Sequence, residues 1–405
     1  MKVAIVHSRY RSAAPSGENA IVDEEAVLLR AAGHEVIAFE RSSDTIAHLP
    51  LSRRAAVPAQ SIWNPEVRRS LTELLHDERP DVVHVHNTFP MLSPAVLDAA
   101  RDAGVPVVAT LHNYKLLCAS GDFFREGSPC HACAGGELAP ALAHGCYRGS
   151  RAATLPILAA LAVHRERWRT LVSAYHLVSA SQRRLLAGLG LPDERVFVSH
   201  HGVPAPPPGG RRQHRVAYAG RLDAAKGAPL LMAGWDAFRA ARPDSRLRLT
   251  IAGDGPLGDQ VRSWAASRPE VDFLSALNRA GARDVLASSV AAVVPSAWEE
   301  AFGLTAVEAM AAGTVPLLAA HGSFPELVDD GVDGVLFTPG SAAALATALA
   351  AVDDDVPRHL ALGQAARATY RARFTPEAAL DRLVDIFGFA IEHPAGRPIP
   401  QGALR

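Results

Sequence analysis

An α/β protein made of two Rossmann-like halves is what this sequence predicts, each half a parallel sheet flanked by helices. Three observations carry the prediction. Short apolar runs, such as KVAIV at 2–6, DVVHV at 81–85 and VAAVV at 290–294, recur between helical stretches, which is the pattern of buried parallel strands. The length of 405 residues suits two domains of roughly 150–200 residues each. A stretch rich in proline and glycine, VPAPPPGG at 203–210, stands between the halves as a stiff linker with a flexible end. The expected division is 1–203, a linker over 204–214, 215–375, and a final segment 376–405.

Composition narrows the function classes. Hydrophobic residues make up 48% of the chain and the formal net charge is -1, values of a soluble globular protein. There is no global basic excess, so no nucleic-acid partner is expected. The opening MKVAIVHSRY lacks a signal-peptide h-region and no stretch reads as a spanning helix, so the expected location is the cytoplasm. Disulfides are not expected there.

In chain order, Lys2 to Val6 reads as the first strand. The loop after it carries Ser16, Gly17, Glu18 and Asn19 just ahead of a helix running to about Ala32, and EVIAF at 35–39 is the second strand. This is a βαβ unit with a glycine-containing loop at the carboxyl edge of the sheet, where open α/β sheets bind ligands. It lacks the GxGxxG fingerprint, which argues against a nicotinamide cofactor. Pro80 to His86 is the next strand. VPVVATL at 105–111 is another, and it delivers His112 and Asn113 at its carboxyl end. A histidine there opens onto the sheet crevice; the alternative is a structural histidine bonded to a backbone carbonyl.

Cys118, Cys130, Cys133 and Cys146 follow as C-x11-C-x2-C-x12-C in a glycine-rich insertion over about 116–150. Four thiolates with a CxxC knuckle have the composition of a tetrahedral structural zinc site, and the insertion has too few apolar side chains for a core of its own. Metal-free thiols and disulfides are the alternatives. Further on, LPILAALAVHRERWRTLV reads as a helix ending in a basic aromatic turn of His164, Arg165, Arg167, Trp168 and Arg169. That turn is either a solvated helix end favoured by the helix dipole or a peripheral contact, through Arg165–Arg169, with anionic lipid at the inner face of the membrane.

The second half opens with RVAYAGRLDAAKG from Arg215, a strand at 216–219 followed by Gly220, Arg221, Lys226 and Gly227 in the loop. Arginine offers phosphate a planar fork and lysine a point charge, and the flanking glycines allow close approach of a ligand. Leu247 to Ala252 leads into Gly253-Asp254-Gly255-Pro256, and Val271 to Leu274 is a further strand ahead of Ser275. The stretch VPSAWEEAFGLTAVEAMAAG at 294–313 ends a strand at Pro295, turns through Glu300, Phe302, Gly303 and Leu304, and starts an Ala-rich helix near Thr305. Unpaired amides and the positive end of the helix dipole face that turn and make an anion site. Glu308, a turn into the helix and aimed back, suits the two hydroxyls of a ribose; solvated glutamates on a surface helix are the plain alternative. A last helix begins near Pro376, and HPAGRPIPQGALR reads as a frayed tail.

Pro295, Ser296, Glu300, Phe302, Gly303, Leu304, Glu308, Ala309, Met310, Ala311 and Gly313, in that order, resemble the donor-site signature of retaining glycosyltransferases of family 4, which have the GT-B fold. The GRLxxxKG element at 220–227, the GDGP turn at 253–256, the GxxPELV element at 322–328 and the DVVHVH and PVVxTLH strands extend the resemblance over nearly the whole chain. Where the family usually has glycine after FL, Ser275 stands here. The TLHNYKLLC, PCxxC and CYRGS series is similar to a bacterial subgroup with a four-cysteine insertion, whose members often act in polysaccharide or natural-product pathways. The resemblance implies two facing Rossmann-like domains, a nucleoside diphosphate sugar donor in the cleft between them, an acceptor hydroxyl and a C-terminal helix crossing back to the first domain. It implies that Gly17 lies beside the donor's phosphates and sugar and His112 against the transferred sugar. It further implies that Arg221 and Lys226 hold the diphosphate, with Gly220, Gly253, Phe302, Gly303 and Leu304 lining the donor site.

The chemistry expected is glycosyl transfer with retention. A diphosphate leaves as a stable anion, so the site must stabilise growing negative charge rather than supply a proton. Arg221, Lys226 and the amides near Gly303 and Leu304 do so without a metal ion, so no catalytic cofactor is expected. Glu300 holds sugar hydroxyls and Glu308 the ribose. No carboxylate pair of glycosidase type is recognisable in the sequence. The competing readings are a sugar-nucleotide 2-epimerase of similar two-domain fold and a protein that binds a sugar nucleotide without turnover.

Overall fold

The computed structural model describes residues 1–12, 16–206 and 212–399. The chain divides into two compact units: Met1–Asp122 with His131–His201 and Ala379–Arg405, and Phe123–Cys130 with Gly202–Ala378. Residues 207–211 of the expected linker and 400–405 of the expected tail lie outside the described residues. No described helix is long and apolar enough to cross a membrane.

The strands up to residue 198 are Lys2–Arg9 (β1), Glu35–Ser42 (β2), Val82–Val85 (β3), Val107–Leu111 (β4), Phe124–Arg125 (β5), Ser128–Pro129 (β6), Ala174–Leu177 (β7) and Val196–Val198 (β8). In the first unit they form a six-stranded sheet in the order β2-β1-β3-β4-β7-β8, and every pairing is parallel. Strand β1 is buried from Val3 to Ser8, because helices cover both faces of a parallel sheet and leave no room for alternation. The order reverses between β1 and β3, so the loops after these two strands part at the carboxyl edge and open a crevice. Ser16 caps the helix Gly17–Ala31 by accepting from the Asn19 amide at 3.3 Å. Leu383, Ile386, Phe387 and Ala390 of the C-terminal helix Pro376–Glu392 join Val3, Ile5, Val82 and Val108 in one core. The tail does not begin to fray at His393: Arg195 donates to the carbonyls of His393 (2.7 Å) and Arg397 (2.8 Å), which pins it.

In the second unit β5 and β6 pair as a short antiparallel hairpin. Its sheet is built of Gln213–Ala219 (β9), Arg248–Ala252 (β10), Val271–Phe273 (β11), Ser289–Val294 (β12), Val315–Ala319 (β13) and Val335–Phe337 (β14), ordered β11-β10-β9-β12-β13-β14 and again parallel. Here the order reverses between β9 and β12. The two loops that leave these strands, 220–227 and 295–303, are therefore the ones that flank the crevice. The helix Leu304–Ala312 buries Ala306, Val307, Ala309, Met310, Ala311 and Ala312, which explains its composition: a helix covered nearly all round needs small apolar residues. Gly313 ends it at φ +72°, a left-handed value that glycine adopts without strain. Trp235, Phe238, Leu249, Ile251, Leu317, Leu345 and Leu349 lie at the centre of this unit's core.

Candidate active site

The two crevice loops of the second unit are joined through their backbones. Ala297 donates its amide to the Ala225 carbonyl at 2.8 Å, and Gly227, at φ +77°, passes so close that a Cβ there would fall 1.9 Å from the Pro295 carbonyl oxygen. Only glycine satisfies both conditions. The Asp223 carboxylate accepts from the Lys226 amide (2.7 Å) and pairs with Arg221, which folds the loop and places both cations at its rim. Gly220 and Gly253 touch in the same way: a Cβ on Gly253 would lie 1.9 Å from the Gly220 carbonyl oxygen.

Lys226 Nζ reaches Glu300 Oε1 at 2.6 Å, and Ser296 Oγ donates to the same oxygen at 2.7 Å. Glu300 is only 5% exposed, so its charge is balanced by Lys226 rather than by water. The Lys226 ammonium also lies 5.1 Å from the centroid of the Trp298 ring. Three residues on, Gly303 takes φ +89° and opens the helix Leu304–Ala312 without a side-chain cap. The Ala306 amide donates to the Gly303 carbonyl at 3.0 Å, which leaves the amides of Leu304 and Thr305 to face an anion. Phe302 is fixed through its carbonyl by Ser323 Oγ at 2.7 Å, and Thr305 Oγ1 ties the helix start to the Ala219 carbonyl of β9 at 3.3 Å. Glu308, one turn further, is gripped by Arg279 Nε (2.9 Å) and Arg283 Nε (3.3 Å). The structure therefore gathers Gly220, Arg221, Lys226, Gly253, Glu300, Phe302, Gly303, Leu304 and Glu308 around the loops of one crevice. It adds Asp223, Trp298, Arg279 and Arg283, which sequence reasoning did not single out, and gives Ser296, a position of the signature, a partner in Glu300. The spacing of Arg279 and Arg283, four apart on the helix Arg279–Ala287, was the available signal.

Ser275 has an equally local explanation. It sits at φ +52°, and the Gly253 amide donates to its carbonyl at 2.7 Å. A left-handed backbone here is what glycine would provide at no cost.

In the first unit Gly17 is the opening residue of its helix and His112 stands at the carboxyl end of β4. His112 belongs to a row of imidazoles: His86 Nδ1 lies 2.9 Å from His112 Nε2, and His201 Nε2 lies 3.2 Å from His112 Nδ1. Deeper in, Glu25 Oε1 is 2.7 Å from His84 Nδ1 and 3.3 Å from His86 Nε2. Burial pushes the Glu25 carboxyl up, but the two histidines outweigh it and hold the group well below its ordinary range. Burial pulls His86 down to about 3, and burial with His201 and His86 alongside holds His112 well below its usual value. An anionic oxygen beside Nε2 of a neutral His86 keeps the ring proton on that nitrogen. Nδ1 of His86 is then an acceptor, so His112 presents Nε2–H to it and accepts from His201 at Nδ1. Both nitrogens of His112 are thereby engaged within the unit. Among the described residues, Glu25, His84 and His86 are the group of three potential metal-ligand atoms within 4.8 Å of one another. A separation of 2.7 Å is an ion-pair distance, shorter than the roughly 3.4 Å between two ligands of a tetrahedral zinc.

The four cysteine thiols are not among the groups so gathered. Cys118 and Cys133 are buried and Cys130 and Cys146 half-buried, and Cys118 Sγ lies 3.1 Å from Ser120 Oγ. The insertion is less apolar-poor than its sequence suggests, since Leu117, Ala119, Phe123 and Ala141 are buried as well. The basic aromatic turn has a buried ring pair and exposed Arg165 and Arg169. His164 and Trp168 are buried, Arg167 Nε pairs with Asp98 at 2.8 Å, and Arg165 and Arg169 donate to the carbonyls of Gly188 (2.5 Å) and Gly190 (2.9 Å).

Two parallel Rossmann-like sheets, with a cationic loop and an open helix N-terminus at one switch point, define the class of GT-B glycosyltransferases. Solved structures with this fold include Anabaena HepE in complex with UDP (TM-score 0.63, 17% identity, covering 96% of this chain and 100% of that one). Another is sucrose-phosphate synthase from Thermosynechococcus elongatus (TM-score 0.68, 18% identity, 96% and 98%). The family profile described as Glycosyltransferase Family 4 matches residues 15–205, and that described as Glycosyl transferases group 1 matches 210–369. D-inositol 3-phosphate glycosyltransferase 1 of Catenulispora acidiphila is 30% identical over 344 residues, 78% of this chain and 74% of that protein. The corresponding enzyme of Corynebacterium kroppenstedtii is 32% identical over 194 residues, a match covering 40% of its length. The chain belongs to the family 4 glycosyltransferases.

Proposed function

We propose that this chain moves a sugar from a nucleoside diphosphate donor to an acceptor hydroxyl, with retention of configuration and without a catalytic metal. The observation that carries this reading is the contact of Lys226, from the loop 220–227, with Glu300 and Ser296 of the loop 295–303, which leads into the uncapped start of the helix Leu304–Ala312. Lys226 and Arg221 supply positive charge where a diphosphate departs, and the amides after Gly303 add fixed dipoles that need no reorganisation during reaction. Glu300, freed from Lys226 when a diphosphate takes that cation, accepts hydrogen bonds from sugar hydroxyls and orients the ring. Glu308 is positioned for a ribose by Arg279 and Arg283. Gly17 and His112 are assigned to the sugar from the first unit, His112 as a neutral ring that adds no positive charge near an oxocarbenium-like carbon.

The test is incubation with a panel of sugar nucleotides, followed by NMR of donor and products. Transfer, or slow donor hydrolysis, with an anomeric configuration equal to the donor's supports the reading. An epimerised donor, an inverted product, or binding without turnover each overturns it.

A further inference from the structure

The row of imidazoles in the first unit has a direction, and its buried end sets that direction. Oε1 of Glu25, Nδ1 of His84 and Nε2 of His86 are shielded from solvent, and none of the three hydrogen-bonds to another group among the described residues. They face one another, with Glu25 2.7 Å from His84 and 3.3 Å from His86. His84 commits its second nitrogen to Thr110 Oγ1 at 2.7 Å. His86 commits its own to His112 at 2.9 Å, and His112 continues to His201 at 3.2 Å. The rings are nearly parallel: His86 and His112 are inclined by 22°, His112 and His201 by 16°, with centroids 5.1 and 5.0 Å apart. The nitrogens approach much closer than the centroids, so the rings meet edge to edge rather than face to face.

A chain of this kind carries polarity. With the N–H of His86 turned to the carboxylate, each ring of the row donates toward Glu25 and accepts from the far side. The ring dipoles therefore add, and hydrogen bonds in series polarise one another. The negative end of the sum points away from Glu25, along the row toward His112 at the carboxyl end of β4. Burial holds His86, His112 and His201 below their ordinary values, so the row brings no positive charge to cancel the carboxylate. As core filling this arrangement is costly, since apolar side chains of similar volume avoid the desolvation of a buried carboxylate.

We propose that Glu25 is a positioning residue for glycosyl transfer: through His86 it fixes His112 as the Nε2–H tautomer and extends its own negative field along the row toward the carbon that becomes oxocarbenium-like. His112 is the member of the row assigned to the sugar, and Glu25 acts on the reaction through it. With both nitrogens engaged in the row, His112 neither takes nor gives a proton; it contributes a fixed, oriented dipole that needs no reorganisation during the reaction. The placement of the sugar against His112 rests on the glycosyltransferase reading; the tautomer and the polarity of the row do not.

The experiment is long-range proton–nitrogen correlation NMR of the full chain labelled in histidine, with the His112 ring assigned from His112→Gln. Kinetics on the sugar-nucleotide panel, UDP-glucose first, and titration with UDP run beside it. In wild type His112 is expected to carry its proton on Nε2, with Nδ1 bare. Glu25→Gln keeps the volume and removes the charge. It is expected to populate the Nδ1–H form of His112 and to lower kcat about 10- to 100-fold, with the donor KM and UDP affinity unchanged. Glu25→Asp, which keeps the charge on a shorter stem, is expected to hold the wild-type tautomer and to retain more kcat than Glu25→Gln. A carboxylate that only supports the fold would lower the unfolding midpoint and leave the tautomer and the kcat of the folded fraction as they were. A wild-type His112 protonated on Nδ1 or on both nitrogens, wild-type kcat in Glu25→Gln, loss of UDP affinity in step with kcat, or Glu25→Asp no better than Glu25→Gln overturns the proposal. The expected tautomer with no turnover of any sugar nucleotide removes the glycosyltransferase reading, and the catalytic role of Glu25 with it, while the polarity of the row stands.

Discussion

Replacing Lys226 with alanine separates the chemistry from the fold, because the side chain serves both unequally. Its ammonium is 2.6 Å from Glu300, and the two side chains are 31% and 7% exposed. Removing it leaves Glu300 with the Ser296 hydroxyl and little water. The cost to folding is roughly 1–2 kcal/mol, below the figure for a fully buried pair because the lysine is partly solvated. In turnover the loss is larger. A cation aimed at charge that develops only in the transition state, inside a crevice of reduced dielectric, contributes roughly 2–4 kcal/mol. That corresponds to about 30- to 1000-fold in kcat. The assay is kcat and KM for the donor in Lys226→Ala and Lys226→Met, with urea unfolding in parallel. A pure folding defect would lower the unfolding midpoint and leave the kcat of the folded fraction intact. Wild-type kcat in a folded variant would remove Lys226 from the mechanism and, with it, the reading of the crevice as a diphosphate site.

Ser275→Gly relieves a left-handed backbone and is expected to raise stability by about 0.5–1 kcal/mol, read as a higher urea midpoint with unchanged slope; a lower midpoint would contradict the strain argument. Acid should destabilise the first unit. Burial lowers His86 to about 3 and His176 to about 4, below an unfolded value near 6.5, so the unfolded chain binds more protons between about pH 4 and 6.5. The stability these neutral rings contribute is present above pH 6.5 and drains by about 1.4 kcal/mol per pH unit for each as pH falls, and equal urea midpoints at pH 7 and 5 would refute it. EDTA added at saturating donor is expected to leave initial rates unchanged, since Arg221, Lys226 and helix amides carry the charge; a requirement for Mg²⁺ or Mn²⁺ would reassign that role. The cysteine spacing predicts one zinc per chain in protein purified without chelator, and elemental analysis finding less than about a tenth of an equivalent would leave four metal-free thiols.

The sequence by itself determined the alternation of buried strands and helices and the position of the turn at 295–303 ahead of an Ala-rich helix. All of these depend on interactions within a few residues: hydrophobic period, glycine at a turn, an open helix start. Tertiary structure alone decided which distant groups share a site. Lys226 and Glu300 are far apart along the chain and meet because the strand order reverses between β9 and β12, bringing their loops to one edge. The same reversal between β1 and β3 places Glu25 against His84 and His86, and β4 beside β3 adds His112 to the row. Nor does the sequence reveal that Arg279 and Arg283 clasp Glu308, that Arg165 and Arg169 donate to the carbonyls of Gly188 and Gly190, or that Ser275 occupies a glycine conformation. A side chain's partner across a sheet depends on strand order and register, which are long-range properties. Its neighbours along a helix or turn depend on spacing, which is written in the chain.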